Sequence, residues 1–318
     1  MRRYLAGRVG QAVVVLWAAY TVSFLVLDLL PGDPVSAMAG GADQAAIDPA
    51  QLEALRREYG FDQPIIVQYL GHLGRAVRGD FGDSVATGRP VISTLADALP
   101  YTLRLTAAAL VLAVLLGGAL ALYATYTAHG WLRQLLVSLP ALGVSLPTFW
   151  IGLMLVQLLS FRLRLLPAFG DEGAAGLILP AVTLAVPTGA MLAQLLAKSL
   201  LTTLGEPYVQ TARAKGAGRV RVHLRHALRN AALPALTMAG VLVGNLMAGS
   251  VVVETVFSRN GVGRETVSAV TVQDIPVVQG VVVFGALTFV PVNLAVDLVY
   301  PLFDPRIVVA AARPRSTG

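Results

Sequence analysis

The sequence of 318 residues contains no cysteine, and only 13% of its residues are charged. The absence of cysteine excludes disulfides, thiolate catalysis and metal sites that use cysteine ligands. Hydrophobic residues make up 56% of the chain, more than an ordinary soluble domain needs to fill a core. The low charge and high apolar content together predict a protein that crosses a membrane several times.

Several catalytic motifs are also absent. Neither Lys198-Ser199 nor Lys215-Gly216 has the upstream glycines of a phosphate-binding loop. The Gly-rich stretch "SRNGVGRE" lacks the lysine and the strand-turn-helix context of such a loop, so we expect this stretch to be a simple connection. No H-E-x-x-H or G-x-S-x-G motif occurs. His223 and His226 have helical spacing, yet two histidines among arginines are more typical of a solvated surface than of a metal site. We therefore expect no catalysis, bound cofactor or metal.

The sequence contains long apolar runs. A bilayer core of about 30 Å needs about 20 apolar residues in a helix. The first run is longer than the hydrophobic region of a secretory signal peptide, so we interpret it as a membrane helix. The six predicted spans are Val9–Leu30, Tyr101–Tyr126, Leu135–Phe161, Leu177–Ala197, Leu233–Val256 and Val277–Tyr300.

Lysine and arginine indicate the orientation, because short cytoplasmic loops retain positive charge. The net charge is +6, but basic residues beside apolar spans fit a membrane surface better than a nucleic-acid site. With both termini in the cytoplasm, the short external loops hold only Arg162, Arg164, Arg259 and Arg264. The cytoplasmic set is Arg2, Arg3, Arg8, Arg133, Lys198, Arg213, Lys215, Arg219, Arg221, Arg225, Arg229, Arg306, Arg313 and Arg315.

Residues 31–100 form the largest hydrophilic segment, which this orientation places outside. Asp48-Pro49 predicts the start of a short helix that ends at Gly60. The stretch "PIIVQYLGHLGRAV" predicts a second, amphipathic helix, and "RGDFGDS" predicts a turn. Two interpretations remain open, a simple external cap and a role in docking a partner or gating substrate entry.

The internal loop 198–232 concentrates basic charge. Pro207 suits the first turn of a helix, Glu206 places negative charge near its positive end, and Gly216 is a natural end. A second helix, Val220–Ala232, carries an arginine stripe, and the loop fits either adhesion to anionic lipid or docking of a soluble protein against Thr211–Gly216. The stripe is Arg221, Arg225 and Arg229, and the adjacent apolar face is Val220, Leu224, Ala227, Leu228 and Ala231.

Stretches along nearly the whole chain resemble one family. They are "LPGDP", "YGFDQP", "LPTFW", "TARAKG", "RHALRNAALP", "VVVETVFSRNGVGR", "PVVQG" and "DPRI". In this order they resemble the permease subunits of binding-protein-dependent ABC importers, in particular the B-type permease of the dipeptide, oligopeptide and nickel family. The loop departs from that family's general E-A-A-x-x-x-G core, because Gln210-Thr211-Ala212 precede Gly216.

This resemblance implies an all-α type I importer fold with one permease domain over 1–318, an external segment 31–100 and a cytoplasmic coupling loop 198–232. It implies three kinds of partner besides the bilayer: a C-type permease, two ATP-binding subunits with ATP and Mg²⁺, and an external solute-binding protein. The plasma (inner) membrane is the implied location. The residues implied to couple this chain to an ATP-binding subunit are Glu206, Gln210, Thr211, Ala212, Arg213, Lys215 and Gly216.

The resemblance implies uptake of dipeptides, oligopeptides or similar small solutes. Nickel complexes and glutathione are alternatives within the family, and no residue identifies a substrate site. A self-sufficient secondary transporter is the alternative from another class. It would need charged residues near the middle of the membrane, and these are scarce in the predicted spans.

Overall fold

The computed structural model describes residues 2–29, 63–171 and 173–288. Within these ranges no strand forms beyond one isolated bridge between Asp83 and Pro90, so the all-α prediction is confirmed. The helices are α1 Arg2–Leu29, α2 Ile65–Ala76, α3 Val91–Tyr126, α4 Gly130–Ser145, α5 Thr148–Arg162, α6 Ala175–Leu204, α7 Pro207–Ala214, α8 Arg219–Thr237, α9 Ala239–Val256, α10 Val262–Thr271 and α11 Ile275–Thr288.

Two of these helices, α3 and α6, are long and apolar enough to cross a bilayer unaided. The pairs α4–α5 and α8–α9 pass the same test only when each bent pair is taken as one span. Apolar helix also covers Val13–Val26 and α11, which are shorter. The ends of the first and last predicted spans, at Leu30 and over 289–300, lie outside the described residues, so the count of six stays a prediction.

The predicted span Leu135–Phe161 is divided between two helices in the structure. The chain bends by 100° between α4 and α5. Leu146 has an extended backbone with ψ of 132°, because the ring of Pro147 disfavours the helical conformation of the preceding residue. Pro147 itself is extended, and α5 begins after it. The dipeptide Leu-Pro therefore divides this apolar run into two helices.

The described residues form two compact units, one within Met1–Tyr101 and Asn260–Val290 and the other Thr102–Arg259. The single permease domain predicted for 1–318 stays a prediction. In the second unit, α3, α5, α6 and α9 bury a common apolar core. Its members are Leu105, Ala109, Ala113, Val156, Leu179, Ala181, Leu184, Ala185, Leu246, Val253 and Phe257.

Glycine allows α3 and α6 to approach closely within this unit. A methyl group added at Gly117 would overlap the carbonyl oxygen of Gly189, and one at Gly189 would lie 3.2 Å from the carbonyl oxygen of Ala113. Small residues at such a crossing let two helix backbones pack directly, which is a main source of helix association in membranes. The core of this unit therefore depends on these two glycines.

In the first unit, α1 packs against α2, which confirms the second helix predicted for the segment 31–100. The hydroxyls of Thr21 and Tyr69 are 2.8 Å apart, and the rings of Phe24 and Tyr69 meet edge to face. Burial, with a smaller effect of the Arg75 charge, lowers the pKa of His72 on α2. The predicted first helix, 48–60, lies outside the described residues.

The predicted turn at "RGDFGDS" is confirmed by positive φ at Gly79 and Gly82. The last residue of this turn, Ser84, contacts a buried carboxylate from a distant part of the chain. Asp274, only 2% exposed, accepts a hydrogen bond of 2.6 Å from the Ser84 hydroxyl. Its other oxygen accepts from the backbone N–H of Val277 and so caps the start of α11. This one side chain fixes two segments that are 190 residues apart in the chain.

Candidate coupling site

The short helix α7 begins as its sequence predicts. Glu206 is extended, and its carbonyl accepts from the N–H groups of Val209 and Gln210. Pro207 occupies the first turn, where its missing N–H costs nothing. The Glu206 carboxylate makes no capping hydrogen bond, so its contribution is that of a negative charge near the positive end of the helix.

The end of α7 is a Schellman motif built around Gly216. Gly216 has φ of +84°, a conformation that costs glycine little. Its N–H donates to the Arg213 carbonyl, and the N–H of Ala217 donates to the Ala212 carbonyl. The prediction that Gly216 ends this helix is confirmed.

Side chains on one face of α7 hold it to the rest of the unit. Val209 is fully buried where α7 meets α6 and α8. The Tyr208 hydroxyl donates to the His226 carbonyl over 3.2 Å and accepts from the Asn230 amide over 2.7 Å. Beneath these contacts lies a small core formed by α3, α6 and α8, with Ala121, Leu196, Ala197, Leu200, Ala227 and Ala231.

Of the predicted coupling residues, Gln210 and Thr211 lie away from Val209 on α7, whereas Arg213 follows Val209 by one turn and lines a cavity with residues of α4 and α8. All the predicted coupling residues are exposed except Ala212, which is half-buried. The polar side chains Gln210 and Thr211 bond only locally, to the carbonyls of Gly205 and Pro207. Gln210 and Thr211 therefore have side chains available to another protein, and the helix contacts α6 and α8 on its other side.

The predicted apolar face of the basic helix is exposed in its first turns and buried further along. Val220 and Leu224 are 56% and 51% exposed, whereas Val222 is buried. The reason is a π-helical segment, Val222–Ala227, whose wider turn shifts the face that α8 presents to α3 and α6. Ala227 and Ala231 are buried as predicted, and the arginine stripe is exposed.

His223 contradicts the prediction of a solvated surface. The side chain is 4% exposed, with Nδ1 at 3.1 Å from the Arg219 carbonyl oxygen and Nε2 at 3.3 Å from that of Thr125. Its ring also meets Tyr126 edge to face. No cluster of three potential metal ligands occurs in the described ranges. His223 therefore joins α8 to the end of α3, a contact that the local sequence gives no means of predicting.

Two buried polar contacts elsewhere in this unit were also missed. Glu254, fully buried on α9, accepts a hydrogen bond of 2.7 Å from the Thr102 hydroxyl. Arg259, only 3% exposed, pairs with Asp171 at 3.2 Å and donates to the Gly176 carbonyl. The stretch predicted to be a simple connection thus contains a buried arginine, which joins the end of α9 to the start of α6.

Comparison with protein families accounts for nearly the whole chain. Residues 1–106 match the N-terminal family described as a membrane component of binding-protein-dependent transport systems. Residues 111–309 match the family described as the inner membrane component of the same systems. The second match contains every predicted coupling residue.

Relatives from enteric bacteria match over almost their full length. The glutathione transport system permease proteins GsiC of Escherichia coli (strain K12), Shigella dysenteriae serotype 1 (strain Sd197) and Shigella flexneri serotype 5b (strain 8401) are each 36% identical to this chain over 307 residues. Each alignment covers 96% of this chain and 99% of the relative. The chain therefore belongs to the inner-membrane permeases of binding-protein-dependent ABC importers, in the peptide and nickel family.

Proposed function

We propose that this chain is the B-type permease subunit of an importer for dipeptides, oligopeptides or similar small solutes. The relatives named for glutathione support a small peptide as the transported class, because glutathione is itself a tripeptide. Glutathione is accordingly the first substrate to test. A nickel complex is the alternative within the family.

The working importer contains this chain, a C-type permease, two ATP-binding subunits and an external solute-binding protein. ATP and Mg²⁺ bind to the ATP-binding subunits, because this chain has no phosphate-binding loop. Both termini and the loop 198–232 lie in the cytoplasm. Contacts within the second unit support this orientation. Three arginines assigned to the cytoplasm, Arg133, Arg213 and Arg219, line one cavity. Arg259, which is assigned to the outside, pairs with Asp171 of another external loop.

The helix α7 docks on an ATP-binding subunit. The observation that carries this proposal is that the fully buried Val209 holds α7 to the second unit, while the side chains of Gln210 and Thr211 on its other face are exposed. When ATP binding closes the two ATP-binding subunits, the docked helix moves with them. Its contacts with α6 and α8 pass that movement to the membrane helices, which reopen toward the outside.

The Gly216→Val variant tests this proposal. Valine at a φ of +84° is strained by about 1–3 kcal/mol, so the end of α7 shifts and docking is impaired. In the complete importer reconstituted in liposomes, we expect ATP hydrolysis without matching uptake, measured with radiolabelled glutathione and dipeptide. Gly218→Val is the matched control, because Gly218 has an ordinary φ of −64° and equally open space around its Cβ position.

Two results would contradict the proposal. Normal uptake per ATP hydrolysed by an assembled Gly216→Val complex would remove α7 from the coupling path. Uptake by liposomes that contain this chain without ATP-binding subunits would instead favour the secondary transporter, which needs no ATP.

A further inference from the structure

Three arginines from three different helices line one cavity in the second unit. The cavity has a volume of about 550 Å³ and lies between Arg133 of α4, Arg213 of α7 and Arg219 of α8. His223 and Thr125 complete its polar wall, and no aspartate or glutamate lines it. A partly open cavity whose charged lining residues are all arginines favours an anionic occupant.

Neutral groups hold two of these guanidinium groups, those of Arg133 and Arg219, in place. Arg133 donates to the Thr127 carbonyl over 3.0 Å, while its buried Nε finds no hydrogen-bond partner among the described residues. Arg219 donates to the Tyr126 carbonyl and stacks on the Tyr126 ring at 4.5 Å. No described carboxylate forms an ion pair with Arg133, Arg213 or Arg219. Their charge therefore remains available, and guanidinium groups match the oxygens of a phosphate well.

An apolar groove adjoins this cavity. It has a volume of about 310 Å³, and its walls include Ala119, Leu122, Val220 and Leu224. His223 lines both spaces, so the groove and the cavity border the same side chain. The exposure of Val220 and Leu224, which the amphipathic pattern did not predict, gives the groove its outer wall. A free phosphate would fill only the cavity, whereas a phospholipid would fill the cavity with its headgroup and the groove with an acyl chain.

We propose that the cavity and the groove together bind one anionic phospholipid, of which phosphatidylglycerol is the test case. The phosphate contacts Arg133 and Arg219, and Arg213 completes the site from α7. Basic pockets between membrane helices on the cytoplasmic side are a recognised way to hold anionic headgroups. The proposal rests on the cytoplasmic orientation given under the proposed function.

Occupancy has a mechanical consequence. Arg213 precedes the Gly216 end of α7, whereas Arg219 follows it and begins α8. A single phosphate bound by both bridges the break between the two helices and ties α7 to α4 through Arg133. The bound lipid therefore stiffens the segment that passes movement from α7 to the membrane helices.

The test uses the full-length chain, alone and in the complete importer, with labelled phosphatidylglycerol and phosphatidylcholine in mixed micelles. The double variant Arg133→Gln/Arg219→Gln is expected to retain phosphatidylglycerol about thirtyfold less tightly than the wild type, at about fivefold for each basic residue. The matched control is Arg221→Gln/Arg225→Gln, which removes two exposed arginines of α8 that do not line the cavity. The control is expected to bind as the wild type does.

A second variant leaves the cavity intact and alters the groove. Leu224→Gln is expected to weaken retention of phosphatidylglycerol, while Leu135→Gln, at an equally exposed leucine outside the groove, is not. Because Leu224 is 51% exposed, its replacement leaves the buried core unchanged and the variant remains informative if the arginine variant fails to fold.

Four outcomes would overturn the proposal. Equal loss in both arginine pairs would mean general attraction to a basic surface, and equal retention of phosphatidylcholine would mean that charge plays no part. Displacement of the lipid by inorganic phosphate, with no effect of Leu224→Gln, would assign the cavity to a free anion. The wild-type chain alone could fail to bind lipid while Arg133→Gln/Arg219→Gln prevents assembly of the importer. That result would mean that the two arginines pair with carboxylates of an ATP-binding subunit. Each result differs from uncoupling by Gly216→Val, so the two proposals fail separately.

Discussion

Glu254 carries a carboxyl group into the apolar core of the second unit. It is fully buried on α9 and accepts a hydrogen bond of 2.7 Å from the hydroxyl of Thr102, the residue of α3 at which the second unit begins. A buried carboxyl group that loses a hydrogen bond retains the cost of its removal from water. This contact therefore fixes how α3 and α9 pack.

The Thr102→Val variant measures that contribution. Valine keeps the shape of threonine but removes the hydroxyl, so we expect a loss of about 1–3 kcal/mol in stability. Thermal unfolding of the purified chain in detergent should show a lower midpoint for Thr102→Val. Thr102→Ser retains the donor and is expected to lie close to the wild type. Equal midpoints for the serine and valine variants would show that the hydroxyl does not stabilise the fold.

The sequence predicted single residues well only where the cause is local. Gly216 ends α7 because a positive φ follows the last turn, a signal contained in a few residues. His223 and Arg259 were taken for surface residues, since their partners Thr125 and Asp171 are distant in the sequence. The local sequence does not distinguish a buried polar side chain from a solvated one, because the partner that permits burial is brought close only by the fold.

At the scale of elements, the backbones of α3 and α6 approach each other so closely at Gly117 and Gly189 that only glycine fits. Gly117 meets the backbone of Gly189, which has no flexible atom to move aside. Gly118, the next residue, has open space at its Cβ position. The two adjacent glycines therefore differ in packing while sharing the same helix.

Substitution of each glycine by alanine separates packing from helix propensity. Gly117→Ala forces the helices apart and is expected to destabilise the chain by about 1–3 kcal/mol, as overpacking does. Gly118→Ala gains about 0.5–1 kcal/mol, because alanine favours the helix over glycine. Thermal midpoints of the two variants in one detergent check the prediction. Midpoints shifted equally, in either direction, would contradict the close crossing.

Apolar runs predicted where the membrane helices lie, but not their shape. The predicted end of the second span, Tyr126, is the observed end of α3, since charge and polar residues follow it. The start lies earlier, at Val91, because Pro100 is accommodated inside the helix. The 100° bend after α4 and the π-helical segment of α8 depend on packing with other helices, which hydropathy does not record.

At the scale of the whole molecule, the orientation follows from the distribution of arginine, and the lack of cysteine makes it directly measurable. The positive-inside rule places Arg162 outside and Arg221 in the cytoplasm. Both side chains are exposed, so Arg162→Cys and Arg221→Cys should leave the fold intact and give a single thiol each. In intact cells we expect a membrane-impermeant maleimide to label only Arg162→Cys, and after permeabilisation both. Labelling of Arg221→Cys in intact cells would invert the topology, and α7 would then face away from the compartment that holds ATP.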